Sequence, residues 1–489
     1  MTERTERVVN GERPNILFLL TDNQHWTSMG AAGNDIISTP HMDDLAARGV
    51  MFENSFVTTP ICGASRASFL TGLYRRSHQF DFRTPPFKAS LGPMTYPALL
   101  KASGYRTGFI GKFGIESDGY MNVEDEEAVL DAMFDHFDDF EHWGPDYYFE
   151  RQPDGSLRHL TDVTGDKIVD FLRHWHLTDA GRPFCLSVSF NAPHCQDDHP
   201  QQYIWPDSVD HLYHDDVIPV PPTADPAFIE TQPDFIKNSE NRERWLRRFG
   251  TPGLFQENMK GYYRMVSGVD VVLGRVLDEL ETLGAGGSTV VIFTSDNGMF
   301  FGERGLSDCW LLYEDSIRVP LVVMDPRFDE LRQGARVGEM ALNIDISPTI
   351  IELAGLPVPE AVQGRSLLPV LGGGPAGWRQ DFYCEHLFEH PLIPKSEGLR
   401  TTRWKYIKYV ELPASDEEQR REGDAVKGGI GRRVRGGNRY EELYDLENDP
   451  LEADNVIDDP RCQDTLDRLV QRFEELRDEA ASARPDTTD

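Results

Sequence analysis

Short apolar runs that end in polar residues recur along the first three quarters of the chain. "NILFLL", from Asn15 to Leu20, is of strand length. A continuous apolar run fits a parallel strand covered on both faces. It ends in Thr21, Asp22, Asn23 and Gln24. "YRTGFIGKF" carries Lys112 at its end, "RPFCLSVSFNAPH" ends at Asn191 and His194, and "TVVIFTSDNG" ends at Asp296 and Asn297. "VPLVVMDP" reads as one more strand. Helix patterns lie between these runs. "TPHMDDLAARG" offers Thr39 as N-cap, Pro40 in the first turn and Gly49 as a stop. "TYPALLKASG", "TGDKIVDFLRHWH" and "DISPTIIELAGL" follow the same periodicity. The longest helix is predicted from about Gln256 to Leu283. There Met259, Tyr262, Tyr263, Val266, Val269, Leu273, Val276, Leu277 and Leu280 recur at three- and four-residue spacing. The order argues for an α/β fold, a sheet with helices on both faces.

The pattern changes after "GRSLLPVLGGGPAGW", and a boundary is placed near Gly372–Gly377. Residues 1–374 are read as one domain and 375–489 as a smaller α+β subdomain. In the latter, "GLRTTRWKYIKYVEL" and "RYEELYDLENDP" read as strands of an antiparallel sheet, and "CQDTLDRLVQRFEELRDEAA" as an amphipathic terminal helix. The charged, Gly-rich stretch from Pro413 to Asn438 is expected to be a mobile loop. The Pro-, Asp- and Trp-rich stretch from Pro200 to Phe255 is expected to form long loops with short helices.

Charge narrows the partners. There are 49 basic and 82 acidic residues among 489, a net charge of −33. Such a surface repels nucleic acid and anionic lipid, so neither is an expected partner. An anionic substrate then requires a locally positive pocket. The six cysteines contain no CxxC pair and are too sparse for a disulfide framework. The N-terminal "MTERTERVVNGERP" is too polar for a signal peptide, and a cytoplasmic location is expected.

Ligands of open α/β sheets bind beyond the carboxyl ends of the strands. Two such ends carry Asp22 with Asn23 and Asp296 with Asn297. Two carboxylates and two amide carbonyls are hard oxygen donors suited to Ca²⁺ or Mg²⁺. Either pair alone is equally ordinary turn chemistry.

The stretch "PICGASRASFLTGLY", from Pro60, adds a thiol and an arginine. A helix start is expected near Ser65, leaving Cys62 just before it. That position favours an anion and a lowered thiol pKa; a small buried residue is the plainer alternative.

"CGASRASFLTGLY" resembles the sulfatase signature: Cys or Ser, any residue, Pro or Ala, any residue, Arg, then "TG" a few residues on. "NILFLLTDNQ", "TPHMDDLAARGVMFENSFV", "YPALLKASGYRTGFIGK", "FNAPH", "FTSDNGMFFGERGL", "YEDSIRVPLVV" and "ELYDLENDPLEADN" follow in the family's order. The resemblance, within the alkaline phosphatase-like superfamily, implies that residues 1–374 are the catalytic domain, a large, mixed, mostly parallel sheet sandwiched by helices, and that the smaller C-terminal domain carries a four-stranded antiparallel sheet. It implies that a separate formylglycine-generating or equivalent maturation enzyme oxidises Cys62 to formylglycine. The hydrated aldehyde then attacks sulfur, and the covalent sulfate is eliminated. Asp22, Asn23, Asp296 and Asn297 resemble the ligands of Ca²⁺ or Mg²⁺, with residue 62 completing the set. Asn23 stands where the family often has Asp. Arg66 resembles the arginine that steadies formylglycine. Lys112 resembles the lysine that binds sulfate, and His194 the histidine that contacts sulfate and protonates the leaving oxygen.

Two positions depart from the family. Gly114 replaces the histidine of "GKWH". Cys309, in "GLSDCW", stands where the family often has a sulfate-binding lysine. Arg304, or else Arg318, is the expected substitute cation for substrate binding. His25, Trp26, His78, His386 and His390 are open between lining a pocket and ordinary packing. His211 and His214 read as a solvated acidic loop. The expected activity is release of inorganic sulfate from a small-molecule or glycan ester: a sulfated sugar, or an aryl or alkyl sulfate. The alternatives are a phosphodiesterase or phosphonate monoester hydrolase of the same superfamily, and a degenerate binder of sulfated ligands.

Overall fold

The run Asn15–Thr21 is buried at every position and lies inside an eight-stranded sheet. The computed structural model describes residues 13–82, 87–115, 123–140, 147–328, 332–411 and 440–483. Across the sheet the strands run Ala335–Val337, Val50–Phe52, Leu321–Met324, Thr289–Ser295, Asn15–Thr21, Phe184–Ser189, Arg106–Gly111 and His136–Asp139. Leu321–Met324 is antiparallel to both neighbours, and every other pairing is parallel. The central register sets Leu20 beside Ser189 on one side and Thr294 on the other. The polar ends of three strands are thereby brought level.

Alternation along the central strand separates two cores. Leu17 and Leu19 pack with Ile168 and Leu172 of the helix Leu160–Thr178, and with Met265 and Val269 of Pro252–Thr282. Ile16, Phe18 and Leu20 pack on the other face with Phe69 and Leu70 of the helix Cys62–Thr71, and with Ile350 of Ile346–Leu353. The long helix begins at Pro252, earlier than its apolar periodicity, because Thr251 Oγ1 caps it by accepting from the Leu254 N–H at 3.2 Å. Thr39 does not cap the helix Pro40–Arg48 with its side chain. Its hydroxyl accepts from Gly30 N, while the His41 and Met42 N–H groups donate to the Asp270 carboxylate at 3.0 and 2.7 Å. The expected short helices are present as Pro226–Thr231, Asp234–Lys237 and Glu240–Arg248.

A second sheet of four antiparallel strands runs Asp381–His386, Lys395–Thr401, Trp404–Glu411, Tyr440–Asp445. Tyr383, Leu399, Tyr406 and Leu443 on one face pack under Leu469, Phe473 and Leu476 of the terminal helix Gln463–Ser482. On the other face Phe382, Ile407 and Tyr444 pack with Phe56, Leu312 and Tyr313 from before the boundary read in the sequence. The stretch Pro413–Asn438, expected to be a loop, lies outside the described residues. No helix among the described residues is long and apolar enough to cross a membrane.

Candidate active site

The two Asp–Asn pairs meet where adjacent strands end. Asp296 N donates to Thr21 O at 3.0 Å, which holds the strand ends together. Asn23 then turns into the left-handed region at φ 66°, a conformation Asn tolerates better than most residues. Its N–H donates to Asp296 Oδ1 at 3.1 Å, and its carbonyl accepts from the Tyr262 hydroxyl at 3.2 Å. Asn297 Nδ2 donates to Asn23 Oδ1. All four side chains are buried.

Cys62 is the first residue of the helix Cys62–Thr71, with Ile61 in extended conformation before it. The helix therefore starts three residues earlier than the sequence suggested. Arg66, one turn on, is only 3% exposed. Its Nε and Nη2 reach Asp296 Oδ2 at 2.9 and 2.8 Å, and Nη2 reaches Asp22 Oδ2 at 3.2 Å. Nη1 donates to Lys112 O at 2.6 Å and to Ser189 Oγ. Lys112 Nζ sits 2.5 Å from Asp22 Oδ2. Two buried cations thus face two buried carboxylates.

Gly114 explains one departure from the family. It lies at φ 68°, and a Cβ there would come within 2.8 Å of Arg66 Cδ. The Arg66 stem occupies the space that a side chain at 114 needs.

The charges set the protonation states. Burial works to raise the Asp22 pKa, but Lys112, His194 and Arg66 outweigh it and bring it to about 2. Burial and the negative charge of Asp22 push Asp296 up to about 6, against Arg66 and Lys112. Burial pushes the Cys62 thiol up to about 11, and the pull of Lys112 and Arg66 does not reverse it. The lowered thiol pKa expected at a helix N-terminus is overturned by desolvation.

The donor set fits a hard cation. Asp22 Oδ1 and Asn297 Oδ1 are buried and accept no hydrogen bond from any described residue. An unsatisfied buried oxygen costs roughly 1–3 kcal/mol, and both belong to the four residues that offer oxygen ligands. Among the described residues no group of three His, Cys, Asp or Glu is arranged to hold a metal; here half of the donors are amides.

His194 is half-buried, and its Nδ1 donates to Cys195 O at 2.6 Å, which leaves Nε2 for a ligand. Its charge is among the causes that lower both Asp22 and Asp308. Cys309 is buried beside Asp308, and Cys62, Asp296 and Asp22 all raise its pKa after burial does. Trp310 N donates to Pro60 O at 3.1 Å, which ties this loop to the segment leading into Cys62.

Arg304 is not brought to the cluster. At φ 58° it directs its guanidinium to the Tyr313 ring at 3.8 Å, to Gln232 Oε1 at 3.1 Å and to the Glu452 carbonyl. It fastens the two sheets and does not replace the missing lysine. Arg318 stacks 3.9 Å over Trp26 and donates to Glu53 O.

The other histidines divide. His25 is buried, with Nε2 3.3 Å from Asp315 Oδ1. His78 is buried; its Nδ1 accepts from Phe80 N at 3.1 Å, so its Nε2 donates to Ser68 Oγ at 3.1 Å. His386 is buried in its strand, and His390 Nδ1 accepts from Leu392 N. His211 and His214 are exposed, in keeping with a solvated loop.

Three neighbours go beyond the sequence reading of the site. Ser189 Oγ binds Arg66 and was visible only as a strand end. The Asn191 amide is buried with neither of its side-chain polar atoms bonded to a described residue. Tyr147 is pushed up by burial, and Lys112, Asp22 and Cys62 are among the charges that act on its phenol. Nothing in the sequence around Tyr147 marks it.

The cluster can hold a divalent cation and an oxyanion beside residue 62. Comparison with known proteins identifies the family. The sulfatase family model matches residues 14–356, and the model of the N-sulphoglucosamine sulphohydrolase C-terminal region matches 302–423. An N-acetylglucosamine-6-O-sulfatase of Bacteroides thetaiotaomicron is 26% identical over 97% of this chain and 88% of its own. A choline-sulfatase of Rhizobium meliloti is 27% identical over 92% of this chain and 83% of its own. A structure solved in complex with its substrate D-glucosamine-2-N,6-O-disulfate shares the fold, with a TM-score of 0.76 at 24% identity over 98% of this chain and all of that one. So does a phosphonate monoester hydrolase from Silicibacter pomeroyi, with a TM-score of 0.75 at 22% identity over 96% of each chain. The chain therefore belongs to the sulfatase family, whose members are sulfuric ester hydrolases.

Proposed function

We propose that the enzyme releases sulfate from a sulfated sugar or an aryl or alkyl sulfate, with residue 62 acting as formylglycine beside Ca²⁺ or Mg²⁺. The observation that carries this reading is the buried lattice of Asp22, Asp296, Arg66 and Lys112, with Asp22 Oδ1 unpaired in it and Asn297 Oδ1 unpaired on the neighbouring ligand residue. Asp22, Asn23, Asp296 and Asn297 would hold the cation. When present, the cation offsets negative charge on the sulfate, and the hydrated aldehyde supplies an oxygen nucleophile for covalent catalysis. Burial pushes the Cys62 thiol up, which makes an unconverted thiol a poor nucleophile; the match of "CGASR" to the sulfatase signature is what supports conversion.

The chain's own residues then have separate work. Arg66 fixes both carboxylates. Lys112 binds a sulfate oxygen while its ammonium stays charged, because Asp22 and its neighbours overcome desolvation. His194 holds its Nδ1 proton on Cys195 O, and in its charged form Nε2 gives a proton to the leaving alcohol oxygen.

A phosphonate or phosphodiester substrate is the second reading, which Cys309, in place of a sulfate-binding lysine, keeps open. Two measurements test the proposal. The mass of the peptide spanning residue 62 is read after co-expression with a formylglycine-generating enzyme. Release of sulfate from aryl and sugar sulfates is then compared with hydrolysis of an aryl phosphonate. Conversion with dominant sulfate release is expected. An unconverted Cys62 in fully active protein would sink the mechanism, and dominant phosphonate hydrolysis would sink the substrate class.

A further inference from the structure

Outside the catalytic cluster, a second cavity opens at the carboxyl end of the sheet. Glu53 and Asn54, directly after the strand Val50–Phe52, line it. So do Val319 and Pro320, before the antiparallel Leu321–Met324, together with Trp26 and Arg318. Arg336 lines it from the edge strand Ala335–Val337. Its volume is about 320 Å³, at the lower end of the roughly 300–1,000 Å³ of small-molecule sites. A single sugar unit fits such a volume; an extended chain does not.

The two arginines are the notable lining. Arg318 lies 3.9 Å over the Trp26 ring, and Nε and Nη2 donate to Glu53 O. Its Nη1 has no hydrogen-bond partner among the described residues. Arg336 donates through Nη2 to Ala31 O, and its Nη1 lies 4.0 Å from Met51 Sδ. Neither guanidinium has a carboxylate within 4.0 Å among the described residues. In a chain with 82 acidic and 49 basic residues, carboxylates are in surplus, and Arg66, Arg244, Arg248, Arg379 and Arg400 all have them. Burial lowers the Arg318 pKa, and Glu314, Glu53 and Asp315 do not fully offset it. Glu53 is the one carboxylate in the lining, and its side chain is exposed. Two cations without acidic partners in one cavity leave charge available for a ligand oxyanion.

The cavity is coupled to the active site through the backbone. Trp26 follows Asn23 by three residues, and Gly298, next to Asn297, donates to Ser316 O at 2.9 Å, two residues before Arg318.

We propose that this cavity is an anionic-sugar subsite, in which Arg318 and Arg336 bind the sulfate or carboxylate of a sugar unit beside the one that is hydrolysed. The inference rests on the sulfated-sugar reading of the substrate.

The test uses the full chain with Cys62 unconverted, which binds without turnover. Calorimetric titration with glucose 6-sulfate is expected to show two sites. Lys112→Ala removes one, and Arg336→Gln or Arg336→Glu weakens the other by about tenfold or more. Arg336 is exposed, so these variants keep the fold; Arg318→Gln is the confirming variant where its melting temperature is retained. Inorganic sulfate is the control. Weaker binding of sulfate than of the sugar sulfate at the second site supports a sugar subsite, and equal binding overturns it in favour of a free-ion site. A single site in the parent chain, or a second site indifferent to Arg336→Glu, also overturns it. Converted enzyme that releases sulfate but binds one equivalent defeats the subsite alone. Two binding sites in an enzyme that cleaves no sulfate ester defeat the substrate reading alone.

Discussion

Arg66 is the residue on which the site's electrostatics turn. It is nearly inaccessible, and it contacts both carboxylates of the cation-holding set. Removing one partner of a buried ion pair leaves the other charged and unpaired, which costs about 3–5 kcal/mol. Arg66→Ala is expected to lose stability on that scale and to drop kcat/KM by about 100-fold or more. Urea unfolding and sulfate-ester turnover check both, and retained turnover in a folded variant would remove Arg66 from the machinery. Cys309 makes the opposite experiment possible. It is buried among groups whose negative charge raises its pKa, so a cation placed there gains favourable Coulombic energy. Cys309→Lys is expected to raise kcat/KM for sulfate esters by about tenfold relative to an aryl phosphonate. A ratio that does not move would show that the loop holds the new ammonium away from the sulfate. Lys112 and the Asp–Asn pairs stand out in the sequence as polar strand ends, whereas Cys62 was singled out only by the family signature. Arg304 was misread for a physical reason. Its left-handed backbone turns the side chain toward Tyr313 and Glu452, and proximity to "DNG" in sequence carries no information about that turn.

The helix Cys62–Thr71 shows what an element adds. Its position is fixed by side chains as well as by the sheet: Asn343 Nδ2 donates to Ser65 Oγ at 3.1 Å, and His78 binds Ser68 Oγ. His78 is wholly buried and neutral, with its pKa lowered to about 3 by burial and by Arg75. Between pH 3 and 6.5 the unfolded chain therefore binds a proton that the folded chain refuses. Stability rises with pH across that window and is lost as pH falls below 6.5, at about 1.4 kcal/mol per pH unit. His159, brought to about 4 by burial, acts with the same sign. His78→Asn is expected to flatten the pH dependence of the urea midpoint between pH 4.5 and 6.5, while the parent loses about 2 kcal/mol from this group over that range. An unchanged slope would mean that His78 is protonated in the fold. The periodicity of the helices and the apolar runs of the strands were readable because core faces impose them. The helix Glu240–Arg248 was readable only as a short helix in a loop-rich stretch. Its Asn241 amide binds the carbonyls of Ser307 and Cys309 at 2.7 Å, and no local pattern announces a contact 68 residues away.

At the scale of the whole molecule the question is how a four-stranded sheet stays fixed against an eight-stranded one. Apolar packing contributes through Phe56, Phe382, Tyr313 and Tyr444. Its specificity comes from a buried ionic knot that residue patterns do not reveal, since the partners are far apart in the chain. Lys405 is fully buried, with its ammonium 2.8 Å from Glu314 Oε1 and 2.7 Å from Glu452 Oε1. Arg400 reaches Glu314 Oε2 at 3.2 Å, and Glu314 N donates to Glu452 Oε2 at 2.8 Å. Burial alone would protonate Glu314; Lys405 and Arg400 reverse that and hold it well below the usual carboxylate range. The knot joins Glu314, near Arg318 and the strand Leu321–Met324, to the C-terminal sheet. Arg304 reinforces it from Glu303–Gly305 through the Glu452 carbonyl. Lys405→Met keeps the apolar stem and removes the charge. It leaves two carboxylates facing each other, so a loss of about 3–5 kcal/mol is expected. Adding Glu452→Gln to Lys405→Met removes one of those charges and is expected to recover part of the loss. Thermal unfolding of the two variants beside the parent decides it. A Lys405→Met chain as stable as the parent would show that the sheets are held by packing alone, and a double variant weaker than the single would show that Glu452 serves the backbone contacts more than the charge.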